Sequence, residues 1–433
     1  MNNVAHENKT LSLLLYIAYV IFSISLVFSF RAISSVSIGL ILLTGLIKNK
    51  METGKFVIKR GNFFLTACIL YFLLQCIGLL YQHDTNKDWN TIRLKTGLII
   101  MPLAIYCSEF LTVKRVQQLF SFFSIILFAG SLYCLIVSFF HYSWSGDSSL
   151  FFYHNLVSPI RQHAVYFSVY VFIALVFLSE GIRRNNFVFT KYFHYYLIFY
   201  FIIFLFLLSS KLVIGFYIIY LIYYFFVLVY TRTVSTKKMI PVFLVLIAAT
   251  ATIFLTGNKI SDRFAEIFQG NISVVKQETF SPGDYFNGLQ FRLLQWKLVP
   301  AILAENKSWW TGVSPGNAQS LLDKKYIEKN MYTGDPMRQG HGYLGYNTHN
   351  QFLQSLLQNG IPGLAAFLFL CYALLRIAWL RKHRLISFVI LLILAFACTE
   401  SLLETQYGLI LFTFFPLFTE AGSKANLLSH FPD

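Results

Sequence analysis

Four groups of residues could do chemistry on one face of this chain. Arg161 and His163 stand two apart in Pro159-Ile160-Arg161-Gln162-His163. Lys211 follows two serines between two apolar stretches. Arg292 and Trp296 are four apart in a segment of helical spacing. His349 opens a short amphipathic segment, 350–359. Arginine offers a planar, bidentate fork that fits phosphate. An imidazole titrating near neutrality can take a proton from a hydroxyl. Cations close to hydrocarbon are costly and tend to have a task. Together they suit a transfer from a lipid diphosphate, which already carries a good leaving group. Such a transfer needs a base for the acceptor and cations for the charge developing on the diphosphate. Each residue has a plainer alternative. Arg161 and Lys211 could snorkel to headgroups, Arg292 could lie on a surface helix, and a lone His is often structural.

These residues need a membrane scaffold. The 433-residue chain is 56% hydrophobic and only 12% charged, with mean hydropathy +0.60, which excludes an ordinary soluble protein and a disordered one. Twelve apolar stretches are candidate spans: about 11–30, 33–47, 62–80, 95–108, 117–140, 162–179, 193–209, 212–230, 239–256, 361–380, 385–398 and 403–420. The expected fold is an all-α polytopic membrane protein with one large, mostly helical outer loop. The organisation divides into spans 1–9 (1–256), the loop (257–350), a loop-closing helix with spans 10–12 (351–420), and a tail (421–433). The first span is expected to remain as an anchor.

Net charge is +16, from 35 Lys and Arg against 19 Asp and Glu. Most of the basic residues fall in alternate loops, among them Lys48, Lys50, Arg183, Arg184, Arg381 and Arg384. By the positive-inside rule both termini are expected to be cytoplasmic. The loop itself is nearly balanced, with ten basic and eight acidic residues, so nucleic acid is not an expected partner. Within it, 289–305 has helical periodicity with Pro300 bending or interrupting it, and 311–316 and 333–346 are turn-rich. The six Cys are expected to be buried in or beside spans. There is no P-loop and no metal-ligand spacing, so no metal or cofactor is expected.

Four stretches resemble the bacterial O-antigen ligase and polymerase superfamily of polytopic glycosyltransferases. Thr348-His349-Asn350-Gln351-Phe352, running on to Gly360-Ile361-Pro362-Gly363-Leu364, is similar to the signature closing the family's large periplasmic loop. Phe291-Arg292 and Trp296, with Gly312 and Gly316, resemble its Arg-x-x-x-Trp helix and Gly-rich turn. Arg161 to Ser168 resembles a His-Pro motif, with Ala164 in place of the Pro. Glu400-Ser-Leu-Leu-Glu404-Thr-Gln406-Tyr-Gly408 precedes the last span. Ser210-Lys211 stands where members commonly have Ser-Arg, keeping the charge without the fork.

The resemblance implies metal-independent transfer of a glycan from an undecaprenyl-diphosphate carrier at the periplasmic face of the bacterial inner membrane. His349 becomes the base or acceptor-orienting residue. Arg161 and Arg292 become diphosphate ligands with Lys211 and His163 in support. Trp296, Asn350 and Glu404 are expected to assist, Glu404 by pairing with one of these cations. The first expectation is a ligase acting on a lipid A–core acceptor. Alternatives are an O-antigen or exopolysaccharide polymerase, a protein O-oligosaccharyltransferase and, in a different class, a transporter. A transporter predicts broken helices in two matching halves, which the sequence lacks.

Overall fold

A computed structural model describes residues 8–54, 63–78, 80, 85–231, 259–269, 272–335 and 341–422. Every regular element among them is helical. Six helices are long and apolar enough to cross a membrane: α1 (Lys9–Val27), α2 (Arg31–Thr53), α6 (Val113–Ser145), α8 (Ala164–Arg183), α10 (Lys211–Tyr230) and α14 (Gln351–Arg381). Three shorter apolar helices match expected spans: α3 (Phe63–Gly78), α9 (Lys191–Leu207) and α15 (Arg384–Ala397). The last, α16, covers Gln406–Ala421. The expected ninth span, 239–256, lies outside the described residues.

The fourth expected span takes a different form. Residues 95–108 do not make one helix. α4 (Thr85–Lys95) and α5 (Gly97–Tyr106) meet at Thr96, and α5 has ten residues. At 1.5 Å per residue that is about 15 Å, half the hydrocarbon thickness. Two smaller expectations also change. α12 (Gly288–Glu305) runs unbroken through Pro300, its buried face of Leu298, Val299, Ile302 and Leu303 packed on both sides of the proline. Cys398 is exposed and Cys76 half-buried, while the other four cysteines are buried.

α8 is the central post. It is apolar around its whole circumference, and Phe167, Tyr170, Val171 and Phe172 are fully buried. It packs against α6, α9, α10, α15 and the short α7 (Tyr153–Val157). His163 is its N-cap residue, so the most firmly held helix of the bundle fixes that imidazole. The stretch from 193 to 230 folds back at Ser209, whose φ of 49° makes the tight hairpin, and α10 begins at Lys211.

A second core lies outside the bundle. Phe286, Phe291, Leu294, Leu298, Val313, Leu322, Tyr326, Leu356 and Leu357 cluster apart from the spans. They come from α12, α13 (Ala318–Glu328) and the first half of α14, with Phe286 and Val313 from the loops beside α12. α14 serves both cores, because Phe352 packs on Phe367 of the bundle with ring centroids 4.9 Å apart.

The double role of α14 depends on a kink. Asn359 leaves helical geometry and Gly360 adopts φ 64°, ψ −157°, a region only glycine tolerates. The Gly-rich turn packs against this point. Val313 and Ser314 donate to the carbonyls of Leu357 and Gln358, and Ile361 donates to Trp309 O. A Cβ on Gly312 would sit 2.4 Å from the Gln358–Asn359 backbone, and one on Gly360 would sit 2.5 Å from Trp309 O. Both glycines therefore permit a backbone contact that no other residue allows.

Candidate active site

α12 starts at a capping box. Asn287 Oδ1 accepts from the backbone N–H groups of Leu289 and Gln290, and Gln290 Oε1 accepts from Asn287 N–H. This fixes the helix start, and Arg292 and Trp296 then emerge one turn apart on the same side. Each clasps a different loop. Trp296 Nε1 donates to Thr348 O at 3.2 Å. Arg292 Nε donates to Thr399 O at 3.1 Å and Nη2 to Glu400 Oε1 at 2.9 Å. Two loops distant in sequence, 347–350 and 399–401, are thereby brought together. Thr348 Oγ1 joins them directly, 3.2 Å from Ser401 Oγ.

His349 stands at this junction. Its φ is 45°, an uncommon conformation for a residue with a Cβ, and its N–H donates to Asn347 Oδ1 at 3.0 Å. The next residue, Asn350, caps α14 by accepting from the N–H groups of Phe352 and Leu353. The helix start and the strained turn together set the direction of the imidazole. His349 Nδ1 lies 3.1 Å from Glu400 Oε2. An ionised carboxylate can only accept, so Nδ1 carries the proton and Nε2 presents a lone pair.

Glu400 is the centre of the cluster. Burial works to raise its pKa, but the hydrogen bond from His349 and the electrostatic pull of His349, Arg292 and His163 outweigh it. The carboxyl is held below its ordinary range. His163 lies on the other side, 5.5 Å from Tyr166 and 4.4 Å from His154 between ring centroids. Part of its ring is open to solvent. Desolvation on the protein side, with His349 and Arg292 adding to it against Glu400, still lowers its pKa. His154 Nδ1 faces the backbone N–H of Ala164 at 3.3 Å, which places the ring proton on Nε2. Burial, then His163 and Arg263, push the His154 pKa down to about 4.

His349, Arg292, Trp296, Asn350 and His163 thus converge. Lys211 borders them and pairs with Glu266 at 3.3 Å. Arg161 does not join. It occupies an exposed left-handed turn at φ 54°, with no side-chain hydrogen bond or ion pair among the described residues. Glu404 turns away from these cations and pairs with fully buried Lys95 at 3.0 Å. Lys95 Nζ also donates to Gln75 and Gln358, both at 2.7 Å, and Gln75 bonds Asn359 beside the kink. Sequence reasoning assigned no role to Glu400, His154 or Arg263. Glu400 was visible as the first acidic residue of the Glu-Ser-Leu-Leu-Glu stretch, whereas the other two gave no signal by spacing. A separate cavity around Glu180, His194 and His383 lies at the far end of α8, about 30 Å away for a 20-residue helix.

The arrangement can do acid–base work on a hydroxyl next to cations able to meet an anionic leaving group. No curated protein matches the chain. The O-antigen ligase family model matches residues 196–368, a segment that holds Lys211, Arg263, Arg292, Trp296, His349 and Asn350. Over that segment, less than half of the chain, the protein is similar to the O-antigen ligase family, and its six long apolar helices are those of a multi-pass membrane protein.

Proposed function

We propose that this protein moves a glycan from undecaprenyl diphosphate to a lipid A–core acceptor at the periplasmic face of the inner membrane, without a metal. The observation that carries this reading is the bridge made by Glu400, one oxygen on His349 and the other on Arg292.

The acceptor hydroxyl gives its proton to His349 Nε2 while its oxygen bonds to the anomeric carbon. The bond from that carbon to the diphosphate breaks, and the electron pair leaves with the diphosphate. Glu400 keeps the imidazole in the productive tautomer and then stabilises the imidazolium. Arg292 spends one N–H each on Gly288, Thr399 and Glu400, leaving further N–H groups on Nη1 and Nη2 for the leaving group. Lys211 adds charge at the rim. Neutral His163 donates or accepts a hydrogen bond near the sugar. The strict placement of the base matters because a well-oriented pair gains rate from proximity alone.

Deletion of the gene followed by lipid analysis tests the reading. It predicts long glycan chains that accumulate on undecaprenyl diphosphate with none attached to lipid A–core. Single-repeat attachment to core would mean a polymerase instead. Unchanged lipopolysaccharide with lost glycoproteins would mean a protein ligase.

A further inference from the structure

α11 (Lys259–Gln269) is an amphipathic helix that joins the two cores. Ile260 is buried in the membrane bundle and Phe264, one turn on, packs against it. Asn287 Nδ2 donates to Glu266 O at 2.8 Å, which ties α11 to the capping box of α12. Fixed at both ends, α11 holds Arg263 next to the cluster around Glu400. The Arg263 Cζ lies 3.3 Å from the centroid of the Tyr153 ring. Tyr153 is itself held in a left-handed turn at φ 53°, with the His154 ring tilted against it, 3.9 Å between ring centroids.

A guanidinium stacked on an aromatic face keeps its N–H groups in the plane, pointing outward. Those of Arg263 have no hydrogen bond or ion pair among the described residues, and Nε is buried without an acceptor. A buried, unmatched donor on a charged group is costly. The two neighbouring cations differ in this respect, since Lys211 has Glu266 and Arg292 has Glu400. Arg263 is close enough for its charge to act on both His154 and Lys211. Among the described residues the cluster therefore carries a planar fork without a carboxylate partner, beside a lysine that can act only as a point charge.

We infer that Arg263, held flat on Tyr153, is a further ligand for the diphosphate of the lipid-linked donor and supplies the bidentate contact that Lys211 cannot. This rests on the donor class proposed above. The test is binding of undecaprenyl diphosphate and of uncharged undecaprenol to the full chain in lipid nanodiscs. Arg263→Gln is expected to weaken undecaprenyl diphosphate at least tenfold and leave undecaprenol unchanged. Arg263→Lys, which keeps charge and bulk and guards against misfolding, is expected to recover only part of that loss. Arg263→Gln binding the diphosphate as tightly as wild type, or Arg263→Lys recovering it fully, would overturn the assignment, and so would an equal loss for both lipids. If Arg292→Gln loses the diphosphate while Arg263→Gln does not, only the role of Arg263 fails. If wild type does not distinguish the two lipids, the donor reading itself fails.

Discussion

Glu400 holds His349 Nδ1 at 3.1 Å with one carboxylate oxygen and Arg292 Nη2 at 2.9 Å with the other. A single side chain thus sets the tautomer of His349 and the position of Arg292. Glu400→Gln keeps the shape but lets the amide donate, which favours the wrong tautomer of His349. Turnover is expected to fall by roughly 10²–10⁴, with donor binding changed far less. Transfer assays on purified protein check this, and a turnover within twofold of wild type would count against the dyad.

Arg292→Lys keeps the charge and loses the fork. It cannot reach Thr399 O, Gly288 O and Glu400 together, so the 399–401 loop loosens. Activity is expected to drop about 10–100-fold while the amount of protein in the membrane stays normal. Lipopolysaccharide ladders and a membrane-fraction blot measure both.

Acid should weaken the site in a defined window. His154 has its pKa near 4 in the folded protein, below the ordinary value of 6.5, so the unfolded chain binds more protons between those limits. Its stabilising contribution is complete above about pH 6.5 and is lost as pH falls toward 4. Glu400, also depressed, contributes above its ordinary value of 4.5 and loses that contribution only below it. Unfolding midpoints of wild type and His154→Gln, measured from pH 7 to 4, should converge as the pH drops.

Gly360→Ala places a Cβ 2.5 Å from Trp309 O in a backbone region closed to other residues. A cost of at least about 1–3 kcal/mol is expected. The kink that separates the cap of α14 from its membrane half would be displaced. Thermal unfolding should show the loss, and transfer should fall with it. Gly39→Ala, where nothing lies within 4 Å of the added Cβ, serves as the control.

Lys95→Met leaves the half-buried Glu404 without its partner and should destabilise by up to about 3 kcal/mol. Adding Glu404→Gln removes the stranded charge and should restore much of the loss, since paired removal is often nearly neutral. A double-mutant cycle on unfolding midpoints checks the coupling.

Much of this scaffold is legible in the sequence, and the reasons are local. Apolar runs mark α1, α2, α6, α8, α10 and the second half of α14, because length and hydropathy alone decide whether a helix can span. The Arg292–Trp296 spacing gives a shared helix face, and His349-Asn350 gives a cap. The turn 311–316 and the helix end at Gly360 are visible as glycines, although their contact with each other is not. What escapes is tertiary pairing. Arg292 and Glu400 are 108 positions apart, and nothing local selects Glu400 over Glu404 as the partner. The choice follows from the turn at 402–404, which sends the second carboxylate toward Lys95 instead. Arg161 resembles a ligand by type and position, but its left-handed turn leaves it at the surface. Pro300 suggests a bend or an interruption, and α12 is not interrupted, because it packs on both sides of the proline.

The most direct test of the proposed mechanism is reconstituted transfer in the presence of a chelator. Purified protein would receive an undecaprenyl-diphosphate-linked glycan and lipid A–core. Wild type is expected to join glycan to lipid A–core and release one undecaprenyl diphosphate for each glycan transferred, and His349→Ala, folded and inserted normally, is expected to do neither. Transfer that requires an added divalent ion, or that proceeds at the wild-type rate in His349→Ala, would contradict it.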